Sequence, residues 1–299
     1  MTIEDFFVIL RRAQASKDDG SPGSYCLVAM RAQDIFAANR AVGRVAFSVK
    51  AQAGRTRRAE MHEAGSLRVR FPKVEGEECE AVLVNTAGGI AGGDRFDIAV
   101  TVGAGARLLA GGAAAEKVYR SHGPEAEIAL RLDVGAGASL RWLPQETILF
   151  DRVGLSRSIE VVIAENAALV LAEGVVFGRT AMQETVTRGC LRDRWRVRIG
   201  GQLVFAETLS LDGDVAGQLA APAVGNGAAA IATVLIVPPG EAMVEAMRQG
   251  DFAGEVGISA WNGIALARLC ARDGAALRHD LIQLFARIDR GPLPRLWHS

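Results

Sequence analysis

The chain is 299 residues long, 49% hydrophobic and 23% charged, the composition of a folded globular protein rather than a disordered one. Its 34 basic residues are balanced by 34 acidic ones, so no global field draws it toward nucleic acid or an anionic membrane. Any partner must be recognised locally.

Residues 1–30 contain Glu4 and Asp5 and lack a basic stretch leading into a long apolar run, so no secretory signal is expected. The four cysteines, Cys26, Cys79, Cys190 and Cys270, include no Cys-x-x-Cys pair. That argues against a zinc knuckle or a disulfide framework and for buried, reduced thiols. The longest apolar stretch, 219–239, is broken by Pro222, Gly225, Asn226 and Gly227, and no span qualifies as transmembrane. The expectation is a cytoplasmic protein.

Between residues 66 and 212 apolar positions alternate, as in 96–102, 126–132 and 158–163, which is the strand period. Small-residue turns at 103–108, 135–140 and 164–169 each follow one strand and precede another, about thirty residues apart. This repeat predicts a mainly β fold, a stacked β-helix-like or solenoid array of antiparallel strands, each unit burying its apolar face on the next. A plain β-sandwich is the alternative. After residue 213 a glycine-rich stretch precedes a strand at 230–237, and Pro238-Pro239-Gly240 punctuates it. Helices are expected at 241–249 and 277–288. A third is read with Ser259 as N-cap, Trp261, Ile264, Leu266 and Leu269 on its apolar face, and Gly274 beyond its end.

Three stretches carry the polar chemistry. In the first, 84–94, Gly88, Gly89, Gly92 and Gly93 lead into Asp94. A phosphate loop would need a helix N-terminus directly after the glycines, whereas a strand follows, so a tight bend between close backbones is favoured. In the second, 142–151, Trp142, Leu143 and Pro144 precede Gln145, Glu146, Thr147 and Asp151 in apolar surroundings where polar groups need partners. The third is Gly178-Arg179-Thr-Ala-Met-Gln-Glu184. The segment 116–122 adds Lys117 and Tyr119 on one face and Val118 and Arg120 on the other, charges that could pair with Asp94 or Glu146. With Glu173 and Glu184, these carboxylates suit either general acid/base pairs or oxygen- and water-lined positions in a polar interior. No nucleophile elbow and no His/Cys cluster accompanies them, which argues against serine or cysteine hydrolase chemistry. Arg192, Arg194, Arg196 and Arg198 alternate with Trp195, Val197 and Ile199, giving one basic strand face that is either solvated or a docking face for an acidic partner.

In order and spacing, Gly-Gly-x-x-Gly-Gly-Asp, Lys-Val-Tyr-Arg, Trp-Leu-Pro-Gln-Glu-Thr and Gly-Arg-x-Ala-x-x-Glu resemble the urease accessory protein UreD (UreH) family. The resemblance implies a single UreD-like domain over 41–299, with a β core to about 237 and a helical part from about 238, after an extension, 1–40, of open role. It implies a non-enzymatic scaffold for nickel insertion during urease maturation. Its implied partners are apo-urease, UreF and, through UreF, the GTPase UreG. No tightly bound cofactor is implied; Ni2+ would be in transit, with Asp94, Glu146, Glu173 and Glu184 as stepping points, since Ni2+ accepts carboxylate and water ligands. A β-solenoid carbohydrate-active enzyme using two carboxylates is the second reading.

Overall fold

A computed structural model describes residues 40–73, 76–179 and 182–297. The chain enters as a hairpin, β1 (Val42–Gln52) and β2 (Arg55–Gly65), whose turn residues Ala53 and Gly54 have φ of 50° and 74°, as two-residue hairpin turns require. Short strands β3 (Leu67–Arg70) and β4 (Cys79–Asn85) follow. Three coils come next. The first holds β5 (Arg95–Val102), β6 (Arg107–Gly112) and the small β7 (Glu116–Val118). The second holds β8 (Ala126–Val134), β9 (Ser139–Trp142) and β10 (Thr147–Leu149), and the third β11 (Val153–Ile163) and β12 (Ala168–Phe177). A hairpin of β13 (Arg188–Ile199) and β14 (Gln202–Asp214) leads through helix α1 (Val215–Ala220) to β15 (Ala230–Val237). Helix α2 (Glu241–Arg248), strands β16 (Glu255–Trp261) and β17 (Ile264–Ala271), and helix α3 (Gly274–Ile288) complete the order.

Each coil gives one strand to each of two facing sheets. The first sheet runs β14-β13-β11-β8-β5-β1-β2 and the second β16-β17-β15-β12-β9-β6-β4-β3. Register keeps apolar residues in rows that cross the stack. Val100, Leu132, Val161 and Val197 align in the first sheet, and Leu108, Leu140, Leu169 and Val237 in the second. All eight are buried in the inter-sheet core. The mainly β, stacked, solenoid-like class is therefore as the sequence predicts, with one correction of strand direction. Successive coils pair in parallel, β5 with β8, β8 with β11, β6 with β9, and β9 with β12. A strand of the opposite sheet separates two neighbours, so the chain returns to each sheet in the same direction. Antiparallel pairing is kept for flanking strands such as β1 with β2, β13 with β14, and β12 with β15.

The repeated small-residue turns are the corners between the sheets. At each, one amide reaches the last carbonyl of the previous coil: Gly103 to Val49, Gly135 to Val102 and Ala164 to Val134, at 2.8–2.9 Å. Inside the corner Ala106, Ala138 and Ala167 stack at no more than 2% exposure, a column too narrow for a larger side chain.

A second core lies between the outer face of the second sheet and the helices. Strand β12 serves both, sending Leu169, Leu171 and Val175 inward and Val170, Ala172 and Val176 toward α3. Helix α3 buries Leu277, Leu281, Leu284, Phe285 and Ile288 at helical spacing, and its N-cap Asp273 accepts from the Ala276 amide at 2.8 Å. The fully buried Asp280 is satisfied by the Ala253 and Gly254 amides at 2.7 and 2.9 Å.

The helix expected from Ser259 is instead the β16–β17 hairpin, so the segment after residue 238 is not uniformly helical. Asn262 and Gly263 turn it with φ of 46° and 76°, and Ile264 and Leu266 follow the strand period of two. An Asn-Gly pair between alternating apolar residues is a hairpin signal stronger than the spacing that suggested a helix.

Overpacking the corner with Ala138→Leu should cost roughly 1–3 kcal/mol, and opening a cavity with Leu140→Ala roughly 2–5 kcal/mol. Urea unfolding midpoints of the two variants measure both, and an unchanged midpoint for Ala138→Leu would show that the corner is not close-packed.

Candidate functional site

The polar motifs lie on the return loops that carry the chain from the second sheet back to the first, and stacking brings these loops together. Ile90 and Tyr119 exchange backbone bonds across successive loops, Ile90 N–H to Lys117 C=O and Tyr119 N–H to Ile90 C=O, both 2.8 Å. Phe150 N–H then reaches Val118 C=O at 3.0 Å and Gly178 N–H reaches Leu149 C=O at 2.8 Å. Side chains follow the same order. The Tyr119 hydroxyl donates to Gly88 C=O at 2.9 Å, the Tyr119 and Phe150 rings meet edge to face at 5.0 Å, and the Arg179 guanidinium lies 4.1 Å over Phe150.

The glycines serve close approach, as the bend reading anticipates. A Cβ on Gly89 would lie 2.5 Å from the Tyr119 ring, and one on Gly92 would lie 2.2 Å from Ser121 Oγ. Asp94 is buried at 4% exposure, and its oxygens accept from the Ala41 and Ala91 amides at 2.8 and 2.7 Å. It thus ties the glycine bend to the start of β1. Glu184 pairs with Arg179 and accepts from the Asp151 amide at 3.4 Å. Burial works to raise the Asp151 carboxyl, but hydrogen bonds from Thr187 and from the Thr187 and Arg188 amides outweigh it and hold it below its ordinary value. Lys117 and Arg120 are exposed, so neither completes the internal pairing with Asp94 or Glu146 that the sequence suggested. Glu146 instead pairs with Arg278 of α3 at 3.2 Å; the same guanidinium donates to Gln145 Oε1 at 2.7 Å and lies 5.1 Å from the Trp297 ring centre.

A cavity of about 110 Å³ opens between the sheets beside these loops. Its polar lining is Asn85, Glu116, Gln145, Thr147, Arg157 and Glu173; Trp142, Pro144, Ile98, Ile128 and Leu130 contribute apolar wall. At roughly 10–15 Å³ per water it has room for several. At one end sits Glu116, whose partner is the Asn85 amide at 3.0 Å; burial raises its carboxyl, with that hydrogen bond pulling the other way. At the other end Arg157 binds two carboxylates, Glu173 across the gap and Asp193 on the neighbouring strand, the latter through Nε at 3.1 Å and through Nη2. The Trp142 indole N–H donates to Glu173 Oε1 at 3.0 Å. Burial raises the Glu173 carboxyl even though Arg157 pulls it down. Beyond Arg157 lies a second cavity of about 120 Å³, lined by Asp193, Trp195, Glu207, Thr233, Arg268 and Cys270 among others. The Arg157 cluster stands between the two.

Of the carboxylates singled out from the sequence, Glu173 alone lines the first cavity, while Asp94, Glu146 and Glu184 hold loops. Among the described residues no three His, Cys, Asp or Glu side chains gather in a group that could hold a metal ion. The described cysteines, Cys79, Cys190 and Cys270, are free and half-buried rather than buried, and Cys26 lies outside the described residues. Burial foremost raises all three thiols, Cys190 to about 11. Sequence reasoning missed Glu116, Arg157, Asp193 and Arg278. Two of them had a signal: Arg157 shares a strand face with Leu155 and Ile159, and Asp193 with Leu191 and Trp195, so each is a charge on an apolar face.

Arg157→Met should cost roughly 3–5 kcal/mol, because it strands two buried carboxylates, whereas adding Glu173→Gln and Asp193→Leu should restore most of that loss. Chemical denaturation of the single and triple variants decides it. Glu116→Gln should stabilise the protein at neutral pH. Because the folded carboxyl is raised above its ordinary 4.5, its burial penalty grows as pH rises through that value toward the folded one. The gain of the variant should therefore shrink as pH falls from neutral toward 4.5 and vanish below it, and a gain independent of pH would exclude this origin.

The family model of the UreD urease accessory protein matches residues 41–298. "Urease accessory protein UreD 3" of Bradyrhizobium sp. (strain BTAi1) is 56% identical over 271 residues, covering 90% of this chain and 98% of the relative. The urease accessory proteins UreD of Rhodopseudomonas palustris (strain BisA53) and Bradyrhizobium diazoefficiens (strain USDA 110) are each 57% identical over 265 residues, covering 88% of this chain and 92% and 96% of themselves. The four motifs that the stack assembles on its return loops thus lie within a match spanning nearly all the described residues, and the chain belongs to the UreD urease accessory protein family.

Proposed function

We propose that this chain acts in the cytoplasm as a non-enzymatic scaffold for nickel insertion into apo-urease, contacting apo-urease and, through UreF, the GTPase UreG. Family membership supports a role in urease maturation. The observation that supports a direct part in nickel handling is the interior cavity, where Glu116 and Glu173 face water-sized space together with Asn85, Gln145 and Thr147. A divalent cation in transit needs oxygen donors that bind weakly, and carboxylate, amide and hydroxyl oxygens spread along a wet wall meet that need where a tight cluster would trap the ion. On this reading Glu116 touches the cargo, Glu173 does so only when Arg157 releases it, and Asp94, Glu146 and Glu184 hold the loops that wall its route. Arg157 would have to move for the two cavities to communicate.

The glycosidase reading loses ground on three counts. Glu173 is engaged by Arg157 and Trp142, and about 110 Å³ is well below the roughly 300–1,000 Å³ of small-molecule sites. The relatives are also named as accessory proteins.

The test is co-expression of the cognate urease subunits and accessory proteins with this chain, without it, and with Ile128→Trp, which fills the cavity from its wall. Purified urease should be poor in nickel and slow on urea without the chain. With Ile128→Trp it should be similarly poor although the assembly still forms. Fully loaded urease in the absence of the chain would remove the scaffold reading; full loading with Ile128→Trp alone would remove only the interior route.

A further inference from the structure

The outer face of the first sheet is laced with matched charges. Arg44 meets Asp97 at 3.4 Å, Arg95 meets Glu127 at 3.7 Å, Arg192 meets Glu125 at 3.5 Å, and Arg131 and Arg194 both reach Glu160 at 4.0 Å. These pairs account for much of the arginine-rich face of β13, which reads as a solvated outer surface. At the tip of the β1–β2 hairpin the matching stops. Register sets Lys50 directly opposite Arg57 and Gln52 opposite Arg55, so Lys50, Arg55 and Arg57 share one face. All three are exposed, and none forms an ion pair among the described residues. Thr56, between the two arginines, points the other way and accepts from the Arg107 amide at 2.8 Å.

Like charges directly opposite each other on a hairpin oppose its formation. Edge strands do carry charge to discourage pairing with other chains, and β2 is the last strand of its sheet. That duty needs charge but not a single sign, and a lysine opposite a glutamate would discharge it with attraction in place of repulsion. Strand β2 is also exposed over most of its eleven residues on both faces, so it covers little core that would explain its length. A strand that is long, uncovered and self-repelling at one end has the features of a surface completed by something else.

We infer that the tip of the β1–β2 hairpin docks an acidic segment of a partner protein, which neutralises Lys50, Arg55 and Arg57 from their shared exposed face, since the edge amide of Thr56 is already taken by Glu77 C=O at 2.8 Å. A protein fits better than a nucleic acid or an anionic membrane. The positive patch is only three residues wide and the chain as a whole has zero net charge, which suits a short acidic segment seated at the tip and not an extended phosphate array. The inference rests on the scaffold reading, and the natural probe is the cognate apo-urease.

The full chain, with and without Arg55→Glu/Arg57→Glu, is titrated with purified apo-urease at low and at physiological salt, and its melting temperature is recorded. The reversal should weaken binding at least tenfold and flatten its salt dependence, while the free variant melts at the same or a higher temperature because the repulsion with Lys50 is gone. Arg95→Glu, which breaks a matched pair on the same sheet face, should bind as the parent does. Equal affinity of parent and reversal variant overturns the inference and leaves the scaffold reading standing. A parent chain that does not bind apo-urease at all removes the scaffold reading. Loss of binding to duplex DNA or to phosphatidylserine vesicles, with urease binding untouched, would also overturn it.

Discussion

A guanidinium buried between two β-sheets must be matched in charge and saturated in hydrogen bonds, and the interior of this protein is arranged around that requirement. Arg157 projects from the first sheet into the cavity between the sheets, and it is met by Glu173 from the second sheet and Asp193 from its own. Trp142 supplies the remaining hydrogen bond to Glu173. The four residues come from different strands, so the cluster exists only when consecutive coils have stacked in register. A slip of one residue would turn Arg157 outward and leave the carboxylates facing apolar wall. The polar cluster therefore checks the register of the stack at the point where two cavities meet.

The same stacking explains why motifs spread over about a hundred residues of sequence share one surface. The coil period is near thirty residues, and each return loop is placed on the one before it by backbone bonds such as Tyr119 to Ile90 and Phe150 to Val118. Once the glycines allow the first loop to lie against Tyr119, the aromatic and guanidinium groups of Phe150 and Arg179 continue the pile. Groups that bind nothing in isolation become a wall because the architecture repeats.

Much of this was legible in the sequence. Alternation at 96–102, 126–132 and 158–163 marks strands, and the small-residue turns mark corners, because both signals are local and periodic. Parallel pairing was not legible, since direction depends on where the chain goes between two strands of one sheet. The β16–β17 hairpin was missed because Trp261, Ile264, Leu266 and Leu269 satisfy a helical spacing as readily as a strand one, and the Asn262-Gly263 turn decides between them. In the site, Glu173 stood out as a carboxylate on an apolar strand, but its partners Arg157 and Trp142 lie 16 and 31 residues away in sequence on separate strands, beyond the reach of local reading. The pairing of Glu146 with Arg278, 132 residues apart, is a tertiary event of the same kind.

The alanine column at the corners bears on the cavity without touching it. The two sheets are joined along that rim by residues no larger than a methyl group, and along the opposite rim by return loops carrying tyrosine, phenylalanine and arginine. Side-chain size at the two rims limits how closely the sheets can approach, so a change of size at either one would reach the interior from positions far from its lining.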